Sequence, residues 1–150
     1  MSKTYKYYAY LSQLTDCPPA HYEQIKSNAF RWLHRSIDEP KNFMPVLVQS
    51  PRRALTMSHI QACKGFGLSL FDSFEGALNR YNELIKNKPQ LVLTFGNAIG
   101  EIQLEPNDGV SSEPESNNHG HFTFHEFENV DLSKKIIKFV SLNNLNDFIK

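Results

Sequence analysis

The residue pattern predicts an α+β fold: a mixed, mainly antiparallel sheet of about six strands with two or three helices packed on it. Two observations predict it. Strand-like runs with a period of two cluster at both ends of the chain, and only one long helical stripe stands between them. A regular alternation of parallel strands and crossover helices would need several such stripes.

The stripe belongs to the stretch Lys64 to Ile85, around which the chain is organised. Phe66, Leu68 and Leu70 alternate with Gly67, Ser69 and Phe71, the period of a half-buried strand. Asp72, three residues before Glu75, has capping-box spacing. Phe74, Ala77, Leu78, Tyr81, Leu84 and Ile85 then recur at helical spacing, and Lys86-Asn87-Lys88-Pro89 ends the helix with cations at its C-terminus.

Before this unit, Thr4 to Leu11 alternates aromatic residues on both sides and reads as a first strand. Asp16-Cys17-Pro18-Pro19 stops it and favours a short helix from Pro19 to about Ser27. Ala29 to Ile37 alternates Phe30, Trp32 and His34 against Arg31, Leu33 and Arg35, a second strand. From Asp38 to Met57, Pro40, Pro45 and Pro51 forbid a long helix and leave a loop-rich connection, with Phe43 to Val48 as a short extended piece.

After the unit, Leu91 to Phe95 is a short strand or a helical turn. Ala98 to Leu104 is a strand with Ile102 and Leu104 on one face. Residues 106–118 read as a flexible polar loop, His121 to Glu128 as a strand, and Lys135 to Leu142 as an interior strand because both its faces are apolar. Asn143 or Asn144 opens a last short helix with Leu145, Phe148 and Ile149. No internal repeat or domain boundary interrupts the chain, so residues 1–150 read as a single domain.

Sixteen basic residues balance sixteen acidic ones, so no net field draws the chain to nucleic acid, and non-specific nucleic-acid binding is not expected. No apolar run approaches the roughly 18 residues that span a bilayer, so no membrane partner is expected. Two cysteines, Cys17 and Cys63, are too few for a disulfide scaffold and read as reduced thiols in a cytoplasmic protein; a single bridge between them is the other arrangement open to them.

The candidate chemistry is sparse. Arg31, His34 and Arg35, with Trp32, Tyr8 and Tyr10 as a stacking surface, suit a small anionic ligand, because arginine forks bind phosphate or carboxylate bidentately. The competing reading is a sheet edge whose arginines pair with acidic residues at 113–115. His119 and His121 have a His-x-His spacing, roughly 6.6 Å along one strand face, which two imidazoles can bridge around a metal. His125 lies about 13 Å beyond His121 along an extended strand. The competing reading is that His119 caps a loop and that the other two line a strand face.

Gly65 and Gly67 enter a strand rather than leave one, so they are not a phosphate loop. Gly67 instead suggests a close approach or a bulge. Ser69 stands on the face opposite Leu68 and Leu70 and lines a cleft, without the sharp turn of a hydrolase nucleophile.

Arg31 on an early strand, Gly67-Leu68-Ser69-Leu70-Phe71 leading into a helix, and a later strand with a glutamate resemble, in order, a small ADP-ribosyltransferase-like domain. The resemblance spans residues 29–128. It implies a split, mostly antiparallel sheet, NAD as cofactor, and catalytic roles for Arg31 or His34, Ser69, and Glu101 or Glu126. The chain has no Ser-Thr-Ser triplet. The first functional expectation is therefore a small binding or interaction domain without catalysis or cofactor of its own, taking an unknown protein or a small anionic ligand. The alternative is the NAD-binding transferase.

Overall fold

A computed structural model describes residues 4–36 and 38–142. Its centre is a six-stranded antiparallel sheet made of β1 (Ser27–Leu33), β2 (Leu68–Phe71), β3 (Ala98–Leu104), β4 (Gly109–Ser111), β5 (His121–Glu126) and β6 (Ile136–Ser141), in the order β4-β5-β2-β1-β3-β6. The α+β class follows, since helices and turns lie against an antiparallel sheet. No helix among the described residues is long and apolar enough to cross a membrane.

The alternation of side chains builds two cores. One face carries Ala29, Leu68, Leu70, Ile102, Leu104, Phe122 and Phe124, closed by Leu132 and Phe43. The other carries Phe71 and Ile99, with Phe30 and Trp32, and takes α4 (Phe74–Asn87) through Ala77 and Tyr81. The organising unit thus forms as its periodicity predicts. Its helix cap is Ser73 rather than Asp72: the Ser73 hydroxyl accepts from the Gly76 amide. A third, smaller core of Leu11, Leu47, Ala62 and Phe66 packs the N-terminal segment onto α3 (His59–Gly65).

Several expectations are corrected. Thr4 to Leu11 is not a strand but a bridge at Tyr5 followed by α1 (Tyr8–Leu11); its alternating rings serve stacking, Tyr5 on Phe127 and Tyr10 on Phe66. The helix expected from Pro19 to Ser27 is absent, and Glu23 bridges Ser111 instead. Between β1 and α3 the prolines open two 3-10 turns, Pro40–Phe43 and Pro51–Thr56. They flank α2 (Val46–Gln49), which replaces the extended piece expected there. Residues 91–95 take the helical alternative, as α5 (Val92–Phe95).

Residues 106–118 contain the fully buried strand β4. Lys135 to Leu142 yields β6 at the sheet edge rather than inside it, with Ile137 left exposed. The last helix, from Asn143 or Asn144, and Ile37 fall outside the described residues. Cys17 and Cys63 form a disulfide rather than two reduced thiols. This bridge removes the support that free thiols lent to a cytoplasmic location.

The sheet is split in one place. β1 and β3 pair along their whole length, but β1 and β2 meet only at Phe30 and Phe71. Beyond that bridge a side chain takes over from the ladder: Arg31 Nη1 donates to the Ser69 carbonyl at 2.9 Å. This opening positions the candidate site.

Candidate functional site

A cleft of about 320 Å³ opens where β1 and β2 separate. β1 supplies Arg31 and Trp32, and His34 follows it. β2 supplies Ser69 and β5 supplies His121 and Thr123; Met44, Pro45 and Val46 form one wall, Thr94 and Phe95 another, and Lys41 and Lys64 stand at the sides. Gly67 lines the floor because a Cβ there would fall 2.6 Å from Thr123 Cγ2 and 3.0 Å from the His125 ring. The close approach expected at Gly67 is thus made by side chains of β5.

Arg31 holds the floor together. Its Nε donates to the Asn42 carbonyl at 2.6 Å and its Nη1 to the Ser69 carbonyl. Burial pulls the guanidinium down to about 10, against the nearby Glu126 carboxylate and Tyr7, which favour its charge. It therefore stays cationic at neutral pH. Asn42, 2 % exposed, is the clip for the wall above it. Its side chain accepts from the His34 amide at 2.7 Å and donates to the Ser36 carbonyl at 2.8 Å, tying residues 34 and 36 to the turn beside the cleft.

Ser69 and His121 meet across two strands. The register sets Ser69 opposite Thr123 and Phe71 opposite His121, so the two side chains sit diagonally on one face. Ser69 Oγ is 3.0 Å from His121 Nε2, and His121 Nδ1 is 3.5 Å from the Glu115 carboxylate. The entry to this strand is fixed by Gly120, whose φ of 76° and contact with Asp72 leave no space for a side chain. Burial lowers the His121 pKa, with Glu115 opposing it and Lys64 adding to the lowering. The ring is thus neutral at pH 7 and can accept from the Ser69 hydroxyl.

Serine and histidine are paired, but Glu115 at 3.5 Å makes no hydrogen bond to His121 Nδ1, so the three do not form a linked proton relay. Ser69 also lies within a strand and not on a strand-to-helix elbow. The Ser69–His121 pair was not visible in the sequence, where 52 residues separate the two.

The residues singled out from the sequence divide. Arg31, Trp32, His34 and Ser69 converge on the cleft. Arg35 points elsewhere and donates to Ser141 Oγ at 2.6 Å. Tyr8 is exposed on α1, and Tyr10 stacks on Phe66 at 4.9 Å, away from the cleft lining. Glu101 accepts from Asn28 at 2.8 Å and lines a separate apolar groove with Phe30 and Phe74. Glu126 is buried and paired with Lys6 at 2.7 Å; burial raises its pKa and Lys6 opposes the rise.

By strand alternation Glu126 stands on the face of Phe122 and Phe124, opposite Ser69 and His121. His119 caps a turn at φ 59° and contacts Glu83 at 2.7 Å, apart from His121. Sequence reasoning missed Asn42, Lys41, Lys64, Phe95 and His121's link to Ser69. No local pattern announced them, because each reaches the cleft through tertiary contacts.

No protein family, curated relative or solved structure matches this chain.

Proposed function

We propose that the chain is a binding domain for a small anionic ligand with a flat apolar body, seated in the cleft at the β1–β2 split. One observation carries this reading: the lining includes Arg31, Lys41 and Lys64 and no carboxylate. In a chain whose charges balance overall, this is a local positive wall. Two guanidinium N–H groups of Arg31 are spent on backbone carbonyls, and the rest of the fork remains for a carboxylate or phosphate. Trp32 and Phe95, 4.7 Å apart, back the apolar part of the cleft. A volume near 320 Å³ lies at the small end of ligand pockets, which suits a compact ligand or one moiety of a larger one.

Nucleotides, NAD included, belong to this ligand class, as do aromatic carboxylates. A thermal-shift panel of NAD, nucleoside monophosphates, aromatic carboxylates and inorganic phosphate tests the reading. A ligand at a hundred times its Kd stabilises by roughly 2.7 kcal/mol. The expected result is a rise in Tm with at least one organic anion, weakened by salt and lost in the Lys41→Ala/Lys64→Ala double variant, whose two side chains are exposed. No rise across the panel, or a rise that survives the double variant, overturns it. Turnover of NAD that disappears in Ser69→Ala would replace it with the transferase reading.

A further inference from the structure

A second cluster lies against Gly67 of the cleft floor, and the proposed ligand does not use it. Cys17 comes from the segment after α1, Cys63 from α3 and His125 from β5, yet their ligand atoms lie within 4.8 Å of one another. The His125 Nε2 is 3.8 Å from Cys63 Sγ. A tetrahedral zinc ion with bonds of about 2.3 Å to sulfur and 2.05 Å to nitrogen holds that pair about 3.6 Å apart. The imidazole thus already stands where a shared ion requires it. Cα atoms 5.6 Å apart allow the two sulfurs to reach the about 3.8 Å that the same ion demands.

The second observation is the ring itself. His125 is 2 % exposed, its Nδ1 has no hydrogen-bond partner among the described residues, and its Nε2 faces only a disulfide sulfur, a poor acceptor. An ion bound at Nε2 would give this buried nitrogen a far stronger partner than a disulfide sulfur 3.8 Å away. A ring kept there merely for packing could be phenylalanine, as at Phe122 and Phe124 on the same strand. Gly67 leaves space for this ring, since a Cβ would come 3.1 Å from Nε2.

We propose that in the reduced protein Cys17, Cys63 and His125 bind a thiophilic divalent metal ion, zinc above all, and that the disulfide is the oxidised, metal-free form of this site. A dithiol reductant supplies two electrons and two protons to the bridge and becomes a disulfide itself. The two cysteine thiols then each release a proton to solvent as the ion takes their thiolates, and His125 Nε2 gives its lone pair. Two sulfurs and one nitrogen leave a fourth position for water or an incoming ligand. A small-molecule disulfide, taking the two electrons with two protons from solvent and leaving as two thiols, reforms the bridge and expels the ion.

Cobalt(II) is the probe, because thiolate–cobalt charge transfer and tetrahedral d–d bands report ligand type and geometry. The chain is reduced with a phosphine, which becomes its oxide and does not compete for metal, and is titrated anaerobically while circular dichroism follows the fold. The expected result is one cobalt per chain with a thiolate charge-transfer band, displaced by zinc, and no uptake by the disulfide form. Cys17→Ser should weaken the charge-transfer band and lower affinity at least tenfold. His125→Gln should keep the thiolate band with at least tenfold weaker binding. If reduction loosens the fold, metal should restore it.

Reduced protein that takes up no cobalt, folded or not, overturns the proposal, as does uptake unchanged by Cys17→Ser. The Lys41→Ala/Lys64→Ala variant should bind cobalt like the parent, so this test stands or falls apart from the anion cleft.

Discussion

At the scale of single residues, the cleft depends on two side chains that hold its parts rather than fill it. Asn42 satisfies backbone groups of residues 34 and 36 with its side-chain amide, while its backbone carbonyl accepts from Arg31 Nε. Asn42→Ala strands a half-buried amide of His34 and leaves the Ser36 carbonyl without its donor, and unsatisfied buried groups cost about 1–3 kcal/mol. Urea unfolding should show a loss in that range together with weaker anion binding; a loss below about 0.5 kcal/mol would mean the wall stands without its clip. His121 bears the pH response. Its folded pKa lies below the ordinary 6.5, so the unfolded chain takes up the proton first as pH falls. The stability that the neutral ring contributes is therefore complete above pH 6.5 and declines as pH drops below it. Once protonated in the fold, the same ring adds a cation to the cleft. Anion affinity should thus rise as pH falls through the His121 pKa, read from its ring-proton shifts in NMR, and His121→Gln should flatten the rise. A His121 titration at or above 6.5 would refute the burial that the geometry shows.

At the scale of elements, the long helix and its flanking strands were legible because their signals are local. The stripe of α4 and the alternation in β2 and β3 need no tertiary information. α3 was legible too and was overlooked: Ser58, three residues before Gln61, is a capping-box spacing, and the Ser58 hydroxyl accepts from the Gln61 amide. α1 failed for the opposite reason. Its tyrosines alternate like a strand, but ring stacking on Phe66 and Phe127 decides their direction. Within α4 the burial is sharper than the stripe suggested. Ala77 and Tyr81 are fully buried whereas Leu78 is only half-buried. Tyr81 also donates its hydroxyl to the Gly96 carbonyl at 2.8 Å, which ties the helix to the turn before β3. Tyr81→Phe should cost about 1 kcal/mol by losing that bond, and Tyr81→Ala about 3–5 kcal/mol by opening a cavity. Leu78→Ala should cost less than Tyr81→Ala. The reverse order in urea midpoints would show that the helix docks on its other edge.

At the scale of the whole molecule, the site was only half legible, and the missing half is non-local. Arg31, Trp32, His34 and Ser69 could be suspected from residue type, but the register that sets Ser69 beside His121 depends on pairing strands fifty residues apart. The same holds for Cys17 and Cys63, whose pairing needs the N-terminal segment folded onto α3. That segment is held to the rest by bridges at Tyr5 and Glu23, the Lys6–Glu126 ion pair, hydrogen bonds between Thr15 and His59 and from Gln24 to the Pro106 carbonyl, the third core and the disulfide. A bridge spanning 46 residues removes loop entropy worth about 4 kcal/mol in the chain-entropy account, with 2–4 kcal/mol typical in practice. The metal-free reduced chain should therefore lose about 2–4 kcal/mol in urea. Hydrogen exchange tells where. If the segment opens as a unit, amides of Leu11, Ala62 and Phe66 should lose protection well beyond those of Ala29 and Ile102, which sit in the sheet core. Equal acceleration at all five positions would instead show that the bridge acts on the unfolded chain alone, and that the N-terminal segment and the sheet unfold together.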